Sequence, residues 1–307
     1  MSKQGHRDNE VGPWAEEKLT LLQNYLQAYN TALKNMPFRR VYIDGFAGSP
    51  ISRIRDTTTA ADAPSAFLDD ADAALDQARF VQGSPLRALG CDPGFHSLRF
   101  FDLDESRAEN LRALTATHGE RVQVTVGDCN PGIAALAGQF KASNLRGVAF
   151  LDPYGAHLEW STVRALAATG KIEVIINLPI AMAINRLITR NGDIPENWAA
   201  QLDACFGTSQ WRDLSYSESQ PDLFGNTTVS KDDGVAEKLL ELYLDRLKDE
   251  FAFVTAPRVI RNTKGMPLYY LLWAGPNRVG HNIANHVFRP YDKVAGQRGQ
   301  THKKRIS

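Results

Sequence analysis

Cysteine is scarce: the 307 residues contain only Cys91, Cys129 and Cys205, spaced 38 and 76 residues apart. That spacing fits neither a disulfide framework nor a zinc knuckle, so the expectation is three buried thiols in a reducing compartment. Long apolar runs are missing too. None approaches the ~20 residues that a membrane span requires, and Met1 to Glu10 is polar and charged, without the apolar core of a signal peptide. The chain is therefore expected to be soluble and cytoplasmic. Nor is there an excess of either charge. Lys plus Arg and Asp plus Glu both number 35, which excludes a global attraction to nucleic acid or to an anionic membrane and requires any polyanion site to be local. Internal repeats and low-complexity tracts are absent. With 43% hydrophobic residues the chain has an ordinary globular composition, enough for a sizeable core.

The chain is organised around Val41 to Gly48, Val-Tyr-Ile-Asp-Gly-Phe-Ala-Gly. Val41, Tyr42 and Ile43 suit a buried strand, which stops at Asp44. Gly45, Phe46, Ala47 and Gly48 then form a turn whose two glycines let the backbone approach a ligand closely. Before it, Pro13 and the spacing of Trp14, Leu19, Leu22, Tyr25, Leu26, Tyr29 and Leu33 predict an amphipathic helix, with Lys18 one turn beyond Trp14. Residues 51–82 read as an insertion, in which Arg53 and Arg55 are solvated charges or phosphate contacts. Ser84 and Pro85 read as the cap and first position of a helix. Further strands are predicted at Leu98 to Leu103, at Val122 to Val126, at Gly147 to Leu151 and at Glu173 to Leu178, each but the last followed by a helical pattern. Beyond Ile180, short helices, a polar loop-like stretch from Thr208 to Lys231 and one longer helix lead to a sixth strand at Phe251 to Arg261. A seventh follows at Leu268 to Ala274. The loop between these two is too short for a helical crossover, so they are antiparallel.

Apolar strands separated by helices predict an α/β fold, a parallel sheet covered on both faces. The expected organisation is a disordered tail (1–10), a single domain (11–290) with insertions at 51–82 and 190–232, and a basic tail (291–307). The tail's basic residues are either a solvated end or a small nucleic-acid anchor. Four consecutive strands end in acids: Asp44, Asp102 or Asp104, Asp128 (followed by Cys129), and Asp152. One terminal Asp is most often a turn or cap; four in register with a glycine turn point to a shared crevice at the strands' carboxyl ends. A dinucleotide site would want a third glycine where Pro50 stands.

This order of features is similar to that of class I S-adenosylmethionine (SAM) dependent methyltransferases. More closely, Val-Gly-Pro-Trp-Ala-Glu-Glu-Lys from Val11, Tyr-Ile-Asp-Gly-Phe-Ala-Gly from Tyr42, Gly-Ser-Pro-Leu from Gly83, Leu-Asp-Pro-Tyr-Gly from Leu151 and Tyr-Tyr-Leu-Leu-Trp-Ala from Tyr269 resemble the three-Cys-motif partner family, TcmP. The resemblance implies a Rossmann-like, seven-stranded, mostly parallel sheet with an antiparallel seventh strand. It also implies SAM held by Asp44, Gly45, Phe46, Ala47, Gly48, Asp102, Asp128 and Cys129, a phage-related or repair setting, and a three-Cys-motif radical-SAM-like protein as partner.

Asp152, Pro153 and Tyr154 resemble the Asp/Asn-Pro-Pro-Tyr loop of enzymes that methylate exocyclic amines of nucleic acids, with one proline missing. The resemblance implies Asp152 and a loop carbonyl, that of Pro153, as acceptors for the amine's hydrogens, with Tyr154 stacking on the base. The plainer alternative is a strand-end turn with Tyr154 packed. Cys129 follows the third strand, whereas a methylating thiol belongs after the fourth, so it is expected to be structural. His157 reads as a solvated loop residue, and His281 and His286 lack a third metal ligand. Two functions stay open: a nucleic-acid N-methyltransferase, and a non-catalytic SAM- or nucleotide-binding partner of the three-Cys-motif protein.

Overall fold

A computed structural model describes residues 10–12, 14–54, 80–141, 143–218 and 229–289. The central sheet is built from β1 (Arg39–Asp44), β2 (Ser97–Asp102), β3 (Val122–Val126), β4 (Leu145–Leu151), β5 (Ile172–Leu178), β6 (Phe253–Val254), β7 (Arg258–Arg261) and β8 (Pro267–Gly275). The order across it is β3-β2-β1-β4-β5-β8, with β6 and β7 both paired to the outer side of β8. Pairings from β3 to β5 are parallel, while β8 runs antiparallel to β5, β6 and β7. The expected sixth strand is thus one ladder position broken in two. Thr255 still donates to Trp273 O at 3.0 Å, but Pro257 has no N–H to give, and pairing resumes at Arg258.

Strand side chains alternate between two apolar layers, as the pleat requires. Val41, Ile43, Ala149, Leu151, Val174 and Ile176 face one layer, formed with α4 (Cys129–Gly138), α5 (Trp160–Ala167), α6 (Glu196–Phe206) and α7 (Val235–Glu250). Tyr42, Val148, Phe150, Ile175, Leu271 and Trp273 face the other, with α1 (Trp14–Leu33), α2 (Ser84–Leu89), α3 (Glu105–Thr115) and α8 (Arg278–Val287). The predicted stripe of α1 is the buried one, from Leu19 to Tyr29. This is the Rossmann-like α/β fold, and the sheet reverses its winding at β1, between β2 and β4.

The predicted loop at 208–231 differs from expectation. It opens with a helical turn, Trp211–Ser215, and continues as an antiparallel ribbon of Tyr216–Glu218 and Val229–Lys231. The reason is Trp211, fully buried against α6 and donating from Nε1 to Asp203 at 2.8 Å, which anchors a segment whose average polarity hides it. The described parts of the first insertion, Ile51–Ile54 and Phe80–Gln82, pair antiparallel with each other, and the former pairs parallel with Glu10–Val11. Pro13, Arg55, residues 1–9, 55–79, 219–228 and the basic tail lie outside the described residues, and so do the side chains of Glu10, Val11, Arg53 and Ile54.

Candidate functional site

The carboxyl ends of β1, β2, β3 and β4 lie side by side at the winding reversal, with Asp44 opposite Phe100 and Phe150, and Asp102 opposite Val126. The turn after β1 is pinned from both sides: Gly45 N–H donates to Phe150 O at 3.0 Å and Ala47 N–H to Phe101 O at 2.9 Å. Gly45 needs its missing side chain, because a Cβ there would sit 2.9 Å from Leu151 Cδ2. Gly48 has φ +64, in the left-handed region, with nothing beyond the Phe46 carbonyl close to its open side. Phe46 is half-buried and Ala47 buried.

Asp44 is fully buried. Tyr42 Oη–H donates to it at 3.0 Å and Phe46 N–H at 3.4 Å. Burial is the main reason its carboxyl is pushed up to about 7; a hydrogen bond from Ser84 opposes the rise and the nearby Asp152 adds to it. Ser84 is therefore not the helix cap. The cap position is Gly83, without a side-chain cap bond, and Ser84 opens α2. A hydroxyl beside a buried carboxyl lowers its desolvation cost, and that use outcompetes capping.

Asp102 is 5% exposed and tightly held. Oδ1 accepts from Asp104 N–H and from Arg107 Nη2, both at 2.8 Å, and Oδ2 accepts from Arg107 Nε at 3.1 Å. The doublet of acids is resolved by role: Asp104 caps α3 through Arg107 N–H at 2.9 Å, while Asp102 faces the crevice end. Leu103 between them is 69% exposed, a large apolar side chain left in solvent beside a buried acid. Asp128 caps α4, spending Oδ1 on the N–H and side-chain amide of Asn130, each at 2.9 Å. Cys129 points into the core beside Gly45, and burial first, Asp128 second, pushes its thiol up to about 12. Such a thiol is no nucleophile, and any ligand contact from Cys129 falls to its backbone.

Asn130 joins the loops after β3 and β4. Its Nδ2 also donates to His157 O at 3.0 Å, and its Oδ1 accepts from Glu159 N–H at 3.0 Å and from Thr162 Oγ1–H at 2.7 Å. His157 is exposed and contacts Gln201.

The loop after β4 holds the largest difference from a bare acceptor site. Asp152 is ion-paired with Lys18 of α1 and accepts from Asn177 Nδ2 at 2.6 Å. Lys18 Nζ stands 5.5 Å above the ring of Tyr269, whose hydroxyl is pushed up to about 12 by burial and then by Asp152. Asn177 Oδ1 is buried with no partner. Pro153 is buried, but Tyr154 is 87% exposed, so it is not packed as a core residue. Gly155, at φ +84, turns the chain away behind it. Lys18 and Asn177 carried sequence signals, one on the Trp14 side of α1 and one at the end of β5, but nothing local links either to Asp152.

The residues that could hold a cationic adenosine-bearing molecule are Asp102, whose two oxygens already accept from Asp104 N–H and Arg107, the exposed Leu103 as an apolar face for a purine, the uncommitted oxygen of Asp128 for an amine, and the turn at Gly45 and Gly48.

No model of a known protein family matches the chain, and no curated protein does. Among solved structures, human methyltransferase-like protein 13 in complex with SAH is 14% identical, covering 92% of this chain and 97% of its own, with a TM-score of 0.41. A Legionella pneumophila protein is 14% identical over 88% of this chain and 98% of its own, also with a TM-score of 0.41. A proposed S-adenosylmethionine-dependent methyltransferase from Listeria monocytogenes is 11% identical over 82% and 99%, with a TM-score of 0.35. These are likenesses of general build, and the fold assignment rests on the strand order itself.

Proposed function

We propose that this chain is a SAM-dependent methyltransferase acting on an exocyclic amine of a nucleic acid. The observation that carries the reading is the convergence of Asp44, Asp102, Asp128 and Asp152 on one edge of a sheet wound in the order β3-β2-β1-β4-β5-β8, with an exposed Tyr154 at the loop after β4. SAM, when bound, supplies an electrophilic methyl group. The residues of the chain do the rest. Asp102 and Asp128 would hold the adenosine by hydrogen bonds, and the β1 turn would leave room for it. An exocyclic amine is a weak nucleophile because its lone pair is delocalised into the ring. Acceptors for its two N–H groups, the Asp152 carboxylate and the Pro153 carbonyl, draw the pair out of conjugation while Tyr154 stacks on the base. Lys18 and Asn177 fix Asp152 in position.

A second reading, a SAM- or nucleotide-binding partner of a three-Cys-motif radical-SAM-like protein as in the TcmP resemblance, is favoured by one observation: Asp152 already has a donor on each oxygen. Calorimetry with SAM tests what both readings share. Binding is expected, and it should be lost in Asp102→Ala; absence of heat, or unchanged binding in that variant, overturns the donor site. Methyl transfer from labelled SAM to oligonucleotides then separates the two.

A further inference from the structure

A zero net charge conceals a polar molecule. Acids gather at the carboxyl edge of the sheet, whereas Arg39, Arg40, His96, Arg99, Arg121 and Arg146 all stand at or near the amino ends of β1 to β4. An open cleft of about 830 Å³ lies there, lined by Arg39 of β1, Arg99 of β2 and Arg121 of the turn that enters β3, with Glu120 as the one acid among the described residues of its lining. Among the described residues none of these three arginines is paired with a carboxylate. Arg99 donates only to Leu98 O, at 3.3 Å, although it is half-buried, and Arg121 only to Phe95 O, at 2.8 Å. Ser97, also in the lining, has a buried hydroxyl without a partner. His96 is held in its neutral form by partial burial and by the surrounding Arg40, Arg39 and Arg121.

Arg99 and Arg121 are partly buried and Arg39 is exposed; unpaired, partly desolvated guanidinium groups such as the first two are costly unless an anion completes them, and the planar fork of arginine matches phosphate oxygens. The three span two strand spacings, about 10 Å, too far apart for one phosphate. A second cleft of about 440 Å³, sharing Gln123 with the first and flanked by Arg112, continues along the exposed edge of β3 towards the carboxyl side. A track of that shape suits a chain of phosphates better than a compact anion.

We propose that the amino-edge cleft binds the sugar-phosphate backbone of single-stranded nucleic acid, with Arg39, Arg99 and Arg121 as its phosphate contacts. The carboxylates of the carboxyl edge offer phosphates no cation that is not already paired, so a nucleic-acid substrate is anchored at the amino edge and offered to Asp152 at the other, about 17 Å away along β1 by strand rise. In naming where that substrate is held the inference rests on the methyltransferase reading, but its test does not use SAM and can fail or succeed separately.

The experiment is fluorescence anisotropy with end-labelled 20-nucleotide RNA and DNA. Three phosphate contacts predict a logarithmic salt slope of about −2, or roughly 20-fold weaker binding at 200 mM than at 50 mM salt. R39Q alone should remove about 0.7 from that slope, and the triple variant R39Q/R99Q/R121Q should abolish it, while R278Q, on the exposed start of α8, should bind as the wild type. Because Arg99 is half-buried, a variant-free measurement accompanies these: oligonucleotide should protect Arg39, Arg99 and Arg121 of the wild-type protein from phenylglyoxal, read by mass spectrometry. No binding at 50 mM salt, equal weakening by R278Q, no protection, or full displacement by equimolar inorganic pyrophosphate would each overturn the proposal, the last by showing a small-anion site.

Discussion

Replacing Glu173 by Gln should make stability less dependent on pH, by an amount the structure allows to be worked out. Glu173, at the start of β5, is 2% exposed. Tyr25 Oη–H donates to its Oε2 and Asn277 Nδ2 to its Oε1 at 3.0 Å, while Trp273 Nε1 donates to the Tyr25 oxygen at 2.7 Å. Burial outweighs these bonds and raises the carboxyl from 4.5 to about 7. A carboxyl raised in the folded state contributes stability that is fully present below its unfolded value, near 4.5, and is lost as pH rises to about 7. Integrated from pH 5 to pH 8, the loss through this one group is about 2.5 kcal/mol. Glu173→Gln has no proton to lose, so whatever constant cost the amide brings, its stability relative to the wild type should rise by about that amount over the interval. Asp44, raised to about 7 by burial, adds a loss of similar size to both proteins and cancels in the comparison. Urea unfolding of the two proteins at pH 5, 6.5 and 8 measures the difference. A difference that stays constant within error across the three would refute the assignment of Glu173 as a buried, protonated group.

Other expectations follow from the same contacts. Asp152→Asn should lower methyl transfer by about 10²–10⁴-fold with SAM affinity nearly unchanged in calorimetry; unchanged turnover would remove Asp152 from the chemistry. Lys18→Met should reduce the rate less, because Asn177 still holds Asp152; an unchanged rate would remove Lys18 from the positioning of Asp152. Gly280→Ala places a methyl against the buried Glu173 carboxyl and should cost about 1–3 kcal/mol in chemical denaturation. Trp211→Ala should cost about 3–5 kcal/mol, and a loss under 1 kcal/mol would show that the 208–231 segment is not anchored as described.

The strand ends were legible because each acid follows a short apolar run in one dimension, and a parallel sheet carries such ends to one edge without further instruction. Asp44, Asp102, Asp128 and Asp152 could be found that way. The wiring between them could not. Lys18 reaches Asp152 across 134 residues, and the local pattern around Ser84 points to a cap, whereas the buried carboxyl of Asp44 at the end of β1 makes the stronger demand. Trp211 is hidden in the sequence because averaging over a polar stretch erases one large apolar side chain. The arginines of the amino edge were equally invisible: counted along the chain they cancel against aspartates, and only folding separates the two signs.

Asn130 has a consequence for how this molecule can change. One primary amide grips the cap of α4, the backbone before α5 and a threonine within α5, so the loop after β3 and the loop that carries Tyr154 are tied to one another. A substitution in either is felt by the other, and change without that coupling is open to the solvent-facing residues on the near side of the clamp, Tyr154 first among them.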